Sequence, residues 1–221
     1  MTEDSTSRRL ASVMRRQPVQ PRGAATVAAI LDACAKLLTD HDYDELTTAR
    51  IAERAGVPIG SFYQYFPDKR SVVHALTLRG MQQYVAEVER LFGTDDVALD
   101  WRGAVNQVFG VYLRMLDEVP GFGRVRFSDV IDNRRLDPEA DQYVFMAARL
   151  GELFAARFCE PGEPSADTVS LAFRMSVEAA DALLKLAERV PQERREHVLL
   201  AAHGVVMQLL GEVFDAEQRA D

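Results

Sequence analysis

The sequence predicts an all-α protein. Three observations carry that reading. Apolar residues recur at steps of three and four along nearly all of the 221 residues, and no stretch alternates with period two for long enough to make a strand. The breaks between periodic stretches fall on Pro, Gly, Asp and Ser, the residues that stop and cap helices.

Residues 1–21 are rich in Arg, Ser, Gln and Pro, with Pro18 and Pro21 near the end, and read as a mobile basic arm. From Ala24, the residues Val27, Ile30, Leu31, Cys34, Leu37 and Leu38 form one apolar helical stripe that ends near Asp40. His41-Asp42-Tyr43-Asp44 is the turn. Thr47 or Thr48 can cap a short helix that buries Ile51, Ala52 and Ala55, and Gly56 can take the left-handed conformation that ends it. Pro58 keeps Val57 extended, so the chain turns before a second short helix near Ile59 or Gly60, which Pro67 stops. Two short helices so joined are the arrangement of a helix-turn-helix. Asp68 caps a longer helix carrying Val72, Val73, Leu76, Met81, Val85, Val88 and Leu91. Further helices are expected over 97–119, briefly over 122–131, and over 138–158, 165–190 and 191–214, with a Pro-Gly-rich loop at 160–164.

The composition is that of an ordinary globular chain, with 48% apolar and 27% charged residues. Two cysteines, Cys34 and Cys159, stand alone on separate helices, which excludes a disulfide scaffold and a Cys-ligated zinc site and fits a reducing cytosol. The N-terminus has no apolar core of a signal peptide. The most apolar late stretch, 198–210, is interrupted by His203 and reads as too short to span a bilayer, so no membrane role is expected. The net charge of −8 argues against coating nucleic acid by bulk electrostatics, but the charge is uneven. Five arginines against Glu3 and Asp4 give residues 1–22 a charge of +3, five basic against seven acidic groups give 23–75 a charge of −2, and 76–221 carries the rest.

An enzyme is a poor fit. His41, His74, His197 and His203 show no metal-ligand spacing, and no nucleophile elbow, phosphate loop or dinucleotide fingerprint occurs. No catalytic residue, metal site or cofactor is therefore assigned, and a turn explains Asp40-His41-Asp42.

The second short helix has an unusual composition, Gly60-Ser61-Phe62-Tyr63-Gln64-Tyr65-Phe66. These aromatics can simply fill a small core. Alternatively, Phe62 and Phe66, four apart, anchor the helix and leave Ser61, Gln64 and Tyr65 on other sides, where they can face outward. Such a helix fits a DNA major groove: Gln64 can pair with an adenine edge, Ser61 can bond several bases, and the Tyr63 or Tyr65 hydroxyl can reach phosphate.

The run Leu46-Thr47-Thr48-x-x-Ile51-Ala52-x-x-Ala55-Gly56-Val57-x-x-Gly60-Ser61-Phe62-Tyr63-x-Tyr65-Phe66-x-Asp68-Lys69 resembles the DNA-binding signature of the TetR (tetracycline repressor) family of transcriptional regulators. The likeness spans roughly 24–76. It implies an N-terminal three-helix helix-turn-helix DNA-binding domain, at 22–70 after the arm, and a C-terminal helical ligand-binding and dimerisation domain at 71–221. By the same resemblance Thr47 and Thr48 are phosphate contacts, and Gly60, Ser61 and Gln64 face the groove. Tyr63 and Tyr65 are groove or backbone contacts, Lys69 is a phosphate clamp, and Arg50 rather than Arg54 approaches DNA. The arm precedes the family's usual start by about twenty residues. Its Arg8-Arg9 and Arg15-Arg16 pairs can follow the DNA backbone or enter the minor groove, or be a solvated tail.

In the C-terminal part, the helix at 165–190 is apolar on two faces, one through Val169, Ala172, Phe173, Ser176, Ala180, Leu183, Leu184 and Ala187, the other through Leu171, Met175, Ala179 and Leu186. It is expected to be buried from two directions. The resemblance places a four-helix dimer interface on the last two long helices. Arg174, Glu178, Asp181, Lys185 and Glu188 read as a solvated stripe with internal ion pairs. Candidate pocket residues are Trp101, Val105, Asn106, Phe109, Tyr112, Phe127, Phe145, Met146 and Phe173, with Asn106 or Tyr112 supplying a polar contact, although such a stripe is as well explained as core. The resulting expectation is a cytoplasmic, homodimeric repressor that binds a double-stranded DNA operator and responds to a small-molecule effector. The alternatives are the same DNA-binding regulator controlled by a partner protein and, further off, a helical enzyme.

Overall fold

The computed structural model describes residues 14–123, 142–160 and 164–215. Among them every regular element is helical: α1 (Pro21–Asp40), a 3-10 turn (Tyr43–Glu45), α2 (Thr48–Ala55), α3 (Ile59–Tyr65), α4 (Lys69–Phe92), α5 (Trp101–Glu118), α6 (Gln142–Phe158), α7 (Ala166–Arg189) and α8 (Gln192–Phe214). The expected segments at 1–13, 124–141 and 161–163 lie outside the described residues. The described chain forms two compact units, 14–84 with 113–123, and 85–112 with 142–160 and 164–215. The first is larger than the segment the helix-turn-helix pattern marks out.

In the first unit the stripe read from the sequence is the core. Val27, Ile30, Leu31, Cys34, Leu37 and Leu38 are all buried, packed with Leu46, Ile51, Ala52, Phe62, Phe66, Val72, Val73 and Leu76. Helix α1 starts at Pro21, earlier than the Ala24 expected, because proline at a first helical position gives up an N–H that has no partner there anyway. Burial pushes the Cys34 thiol up to about 12, so it is an inert core group. The turn after α1 is held by the Glu45 carboxylate, which accepts from the Asp42 N–H at 3.1 Å. Helix α4 begins under Asp68, whose Oδ1 accepts from the Ser71 N–H and hydroxyl at 2.8 and 2.9 Å. Part of the stretch expected to be a mobile arm is docked. Met14 packs on this core, and the Arg15 N–H donates to the Tyr65 carbonyl at 2.9 Å.

In the second unit α7 packs against α6 and α8. Phe154, fully buried, sits among Phe92, Phe158, Phe173 and Phe214, with ring centroids 5.0–6.2 Å away. Trp101 stacks on Phe214 and donates its indole N–H to Asp215 at 3.0 Å; Arg102 pairs with the same carboxylate. Ser165 caps α7 by accepting from the Thr168 N–H. Of the charged stripe of α7, Arg174 and Glu178 are exposed and Asp181 and Lys185 form the expected internal ion pair, but that pair is less solvated than expected. Asp181 and Lys185 pair at 3.2 Å and are largely covered, with Asp181 also accepting from the Tyr143 hydroxyl at 2.9 Å.

The second apolar face of α7 is uncovered in the single chain, with Leu171, Met175 and Leu186 exposed, as is Leu200 on α8. Helix α8 runs for 23 residues and is long and apolar enough to cross a membrane by length and composition. The expected stretch at 198–210 was shorter because the residues flanking it, although polar toward the N-terminus, continue the helix.

Candidate nucleic-acid interface

The interface candidates fold from short-range rules. Thr47 is the cap of α2, its Oγ1 accepting from the Arg50 N–H at 3.2 Å. Gly56, at φ 66°, ends α2 in the left-handed conformation, and the Val57 N–H returns to the Ala52 carbonyl at 3.0 Å. Pro58 then opens α3 by offering its carbonyl to the N–H groups of Ser61 and Phe62.

Helix α3 is anchored from one side. Phe62 and Phe66 are fully buried and in ring contact at 6.1 Å, so the i, i+4 pair is core. Gly60, Tyr63 and Gln64 are exposed, and Ser61 is half-buried. A methyl group on Gly60 would meet nothing, so no packing within the chain requires glycine there. No side chain of α3 is charged, so its outer face is hydroxyls, an amide and bare backbone. Such a face can exchange hydrogen bonds with base edges and phosphates without desolvating an ion. Thr48 Oγ1 and the Tyr63 hydroxyl are 2.9 Å apart, which ties the first turn of α2 to the outer face of α3.

Three further candidates are engaged within the chain. Lys69 gives its ammonium to the carbonyls of Tyr43, Asp44 and Leu46 at 3.0, 3.3 and 3.0 Å and lies over the Tyr43 ring. Its three N–H donors are thereby occupied, and what it offers outward is charge. Arg50 donates to the Glu45 carbonyl at 3.1 Å, and its other terminal nitrogen meets His41 Nε2 at 2.9 Å. Tyr65 differs from the outward-facing residue expected. It is half-buried against the core, and its hydroxyl fills the space that a methyl on Gly23 would enter, at 2.8 Å. Residue spacing alone shows that Tyr65 leaves the Phe62–Phe66 side; it does not show that the start of α1 covers it.

The pocket candidates all belong to the second unit except Phe127, which lies outside the described residues. They fall into two groups. Trp101 and Phe173 both meet Phe214, while Asn106 Oδ1 bonds His203 Nε2 at 2.7 Å and Phe109 meets the same imidazole edge-on. Val105 and Met146 are buried; Tyr112 and Phe145 are half-buried. Ser176, one turn from Phe173 on α7, is buried, and among the described residues its hydroxyl has no hydrogen-bond partner. Phe154, Phe214 and Ser176 are absent from the sequence-derived pocket set. The i, i+4 pair Phe154–Phe158 was the available signal for the first of them.

Known proteins match both parts of the chain. The family model for bacterial regulatory proteins of the tetR family matches residues 30–76, and that for the tetracyclin repressor-like C-terminal domain matches 99–214. The crystal structure of a TetR-family transcriptional regulator from Streptomyces coelicolor is similar at a TM-score of 0.67 and 34% identity, covering 85% of this chain and 99% of that one. The fatty acid degradation regulator of Bacillus halodurans shares the fold at a TM-score of 0.60 and 17% identity, covering 88% and 97%. The fatty acid metabolism regulator protein of Bacillus subtilis (strain 168) is 30% identical over 60 residues, 27% of this chain and 31% of that protein. Two family models over most of the chain and a regulator of like fold covering 85% of it lead to one conclusion: this chain belongs to the TetR family of DNA-binding transcriptional regulators.

Proposed function

We propose that the protein is a homodimeric repressor that binds a palindromic operator through α3 and is released by a small apolar or amphipathic effector held in the second unit. The observation that carries the DNA-reading part is the outer face of α3, where Gly60, Tyr63 and Gln64 stand clear and Ser61 is half-exposed while Phe62 and Phe66 lock the helix to the core. Thr48 lies beside that face, Thr47 precedes it as the cap of α2, and both serve phosphate oxygens; Lys69 and Arg50 support it chiefly by holding the turn that precedes α2.

Dimerisation is supported by the uncovered leucines and methionine of α7 and α8, whose exposure is costly for a lone chain. Two copies of α3 then enter successive major grooves about 34–36 Å apart. The effector reading is supported by the aromatic interior around Phe154 and Phe173 and by the unpartnered Ser176 hydroxyl, which a ligand acceptor or donor would satisfy. A fatty acid metabolism regulator among the relatives makes an acyl chain the first effector class to try. Ligand preference for a dimer whose two α3 helices no longer match the groove spacing would release DNA in proportion to that preference. Such a protein works in the cytoplasm, where the DNA is.

The test is selection of duplexes from a random pool by the purified protein, then titration of the preformed complex with long-chain acyl compounds. Recovery of a two-fold palindrome and its release by an acyl compound support the reading. Recovery of no common sequence overturns the operator, and a complex indifferent to every apolar ligand overturns the effector.

A further inference from the structure

We infer that Arg15 and Arg16 form a second DNA-contacting element, docked on the C-terminal end of α3 and directed at phosphates flanking the groove that α3 enters. The inference rests on the operator-binding reading above and extends it to residues outside the helix-turn-helix.

The anchoring is specific. The Arg15 N–H donates to the carbonyl of Tyr65, the last residue of α3, and Met14 packs into the core beneath. On the other side, Pro18 and the Tyr65 hydroxyl close around Gly23, whose lack of a side chain leaves room for both. Two consecutive arginines are thereby fixed beside the recognition helix. Both side chains are exposed, and neither forms an ion pair among the described residues.

Charge makes the placement useful. Residues 23–75 carry five basic and seven acidic groups, a balance of −2 that a polyanion would disfavour. Helix α3 supplies no cation, Lys69 has its three N–H donors on carbonyls, and Arg50 is turned to Glu45 and His41. The arm is where positive charge is in excess, and its backbone is attached at the C-terminal end of α3. Arginine pairs with phosphate through its planar fork and stays charged at any working pH.

The test is DNA binding across a salt series by wild type and by the Arg15→Ala/Arg16→Ala double variant, which keeps the anchoring N–H. Each protein is measured on a selected duplex and on its scrambled counterpart. Loss of two phosphate contacts makes the slope of log affinity against log salt shallower by about 1.8. It weakens binding to both duplexes by the same factor and leaves their ratio unchanged. The Arg15→Lys/Arg16→Lys variant restores the slope, and Arg194→Ala/Arg195→Ala, the same charge change on α8, leaves it as in wild type. An unchanged slope in the arm variant overturns the inference while wild-type specificity keeps the operator reading standing. A loss confined to the selected duplex at unchanged slope also overturns it, in favour of base readout. Wild-type binding that does not discriminate the duplexes overturns the operator reading, and the slope on scrambled DNA still decides the arm.

Discussion

Thr48 Oγ1 lies 2.9 Å from the Tyr63 hydroxyl, so the two helices of the helix-turn-helix share a hydrogen bond at the surface expected to meet DNA. One hydroxyl donates to the other, which leaves a single O–H free to donate outward from the pair. Thr48→Val and Tyr63→Phe are each expected to weaken operator binding several-fold, about 1 kcal/mol. The double variant should lose little more than either single one. Additive losses in a double-mutant cycle would show that the two hydroxyls act separately.

Gln64 and Tyr65 should part company. Gln64 is exposed, so Gln64→Ala should cost about 1–3 kcal/mol of operator discrimination while the melting temperature and the dimer stay unchanged. Tyr65 is half-buried under the start of α1, so Tyr65→Ala should lower the melting temperature as well as binding. Calorimetry and sedimentation on both variants decide this; a Tyr65→Ala protein as stable as wild type would return that residue to the outer face.

Lys69→Met should destabilise the first unit by about 1.5–3 kcal/mol, because three carbonyls of the preceding turn lose a charged donor at once. Urea unfolding reads this directly. A fully stable variant with a shallower salt slope for DNA would instead make Lys69 the phosphate contact that the family signature implies.

His74, on α4, is held down to about 4 by burial first and by the neighbouring Arg70 second. Between its ordinary 6.5 and that value the unfolded chain takes a proton that the folded chain refuses. Stability is therefore fully present above pH 6.5 and falls as the pH drops toward 4. His74→Gln should flatten that part of the profile. An equal fall in both proteins would place the acid sensitivity elsewhere.

Ser176→Ala should leave the melting temperature unchanged or raise it, since it removes a buried hydroxyl that has no partner. The same change should weaken release of DNA by the effector. A clear loss of stability would mean the hydroxyl already has work in the ligand-free fold.

What the sequence made legible was local. The stripe from Val27 to Leu38, the Phe62–Phe66 pair, the Thr47 and Asp68 caps and the glycine stop at Gly56 all follow from spacing and backbone chemistry over a few residues. What stayed hidden depends on chain brought from afar. Lys69 finds its carbonyls 23–26 residues back, Trp101 meets Asp215 from 114 residues away, and Tyr65 is covered by the start of α1. The second apolar face of α7 was visible as a pattern, but periodicity does not say whether a neighbouring helix or a second chain covers it, and here no helix among the described residues does.

Helix α3 is proposed to read a particular duplex. Fluorescence anisotropy of the wild-type protein on the selected duplex and on its scrambled counterpart, across a salt series, tests it most directly. Binding about a thousandfold or more tighter to the selected duplex is expected, with affinity for both falling steeply as salt rises. Equal affinity for the two duplexes at every salt concentration would contradict it.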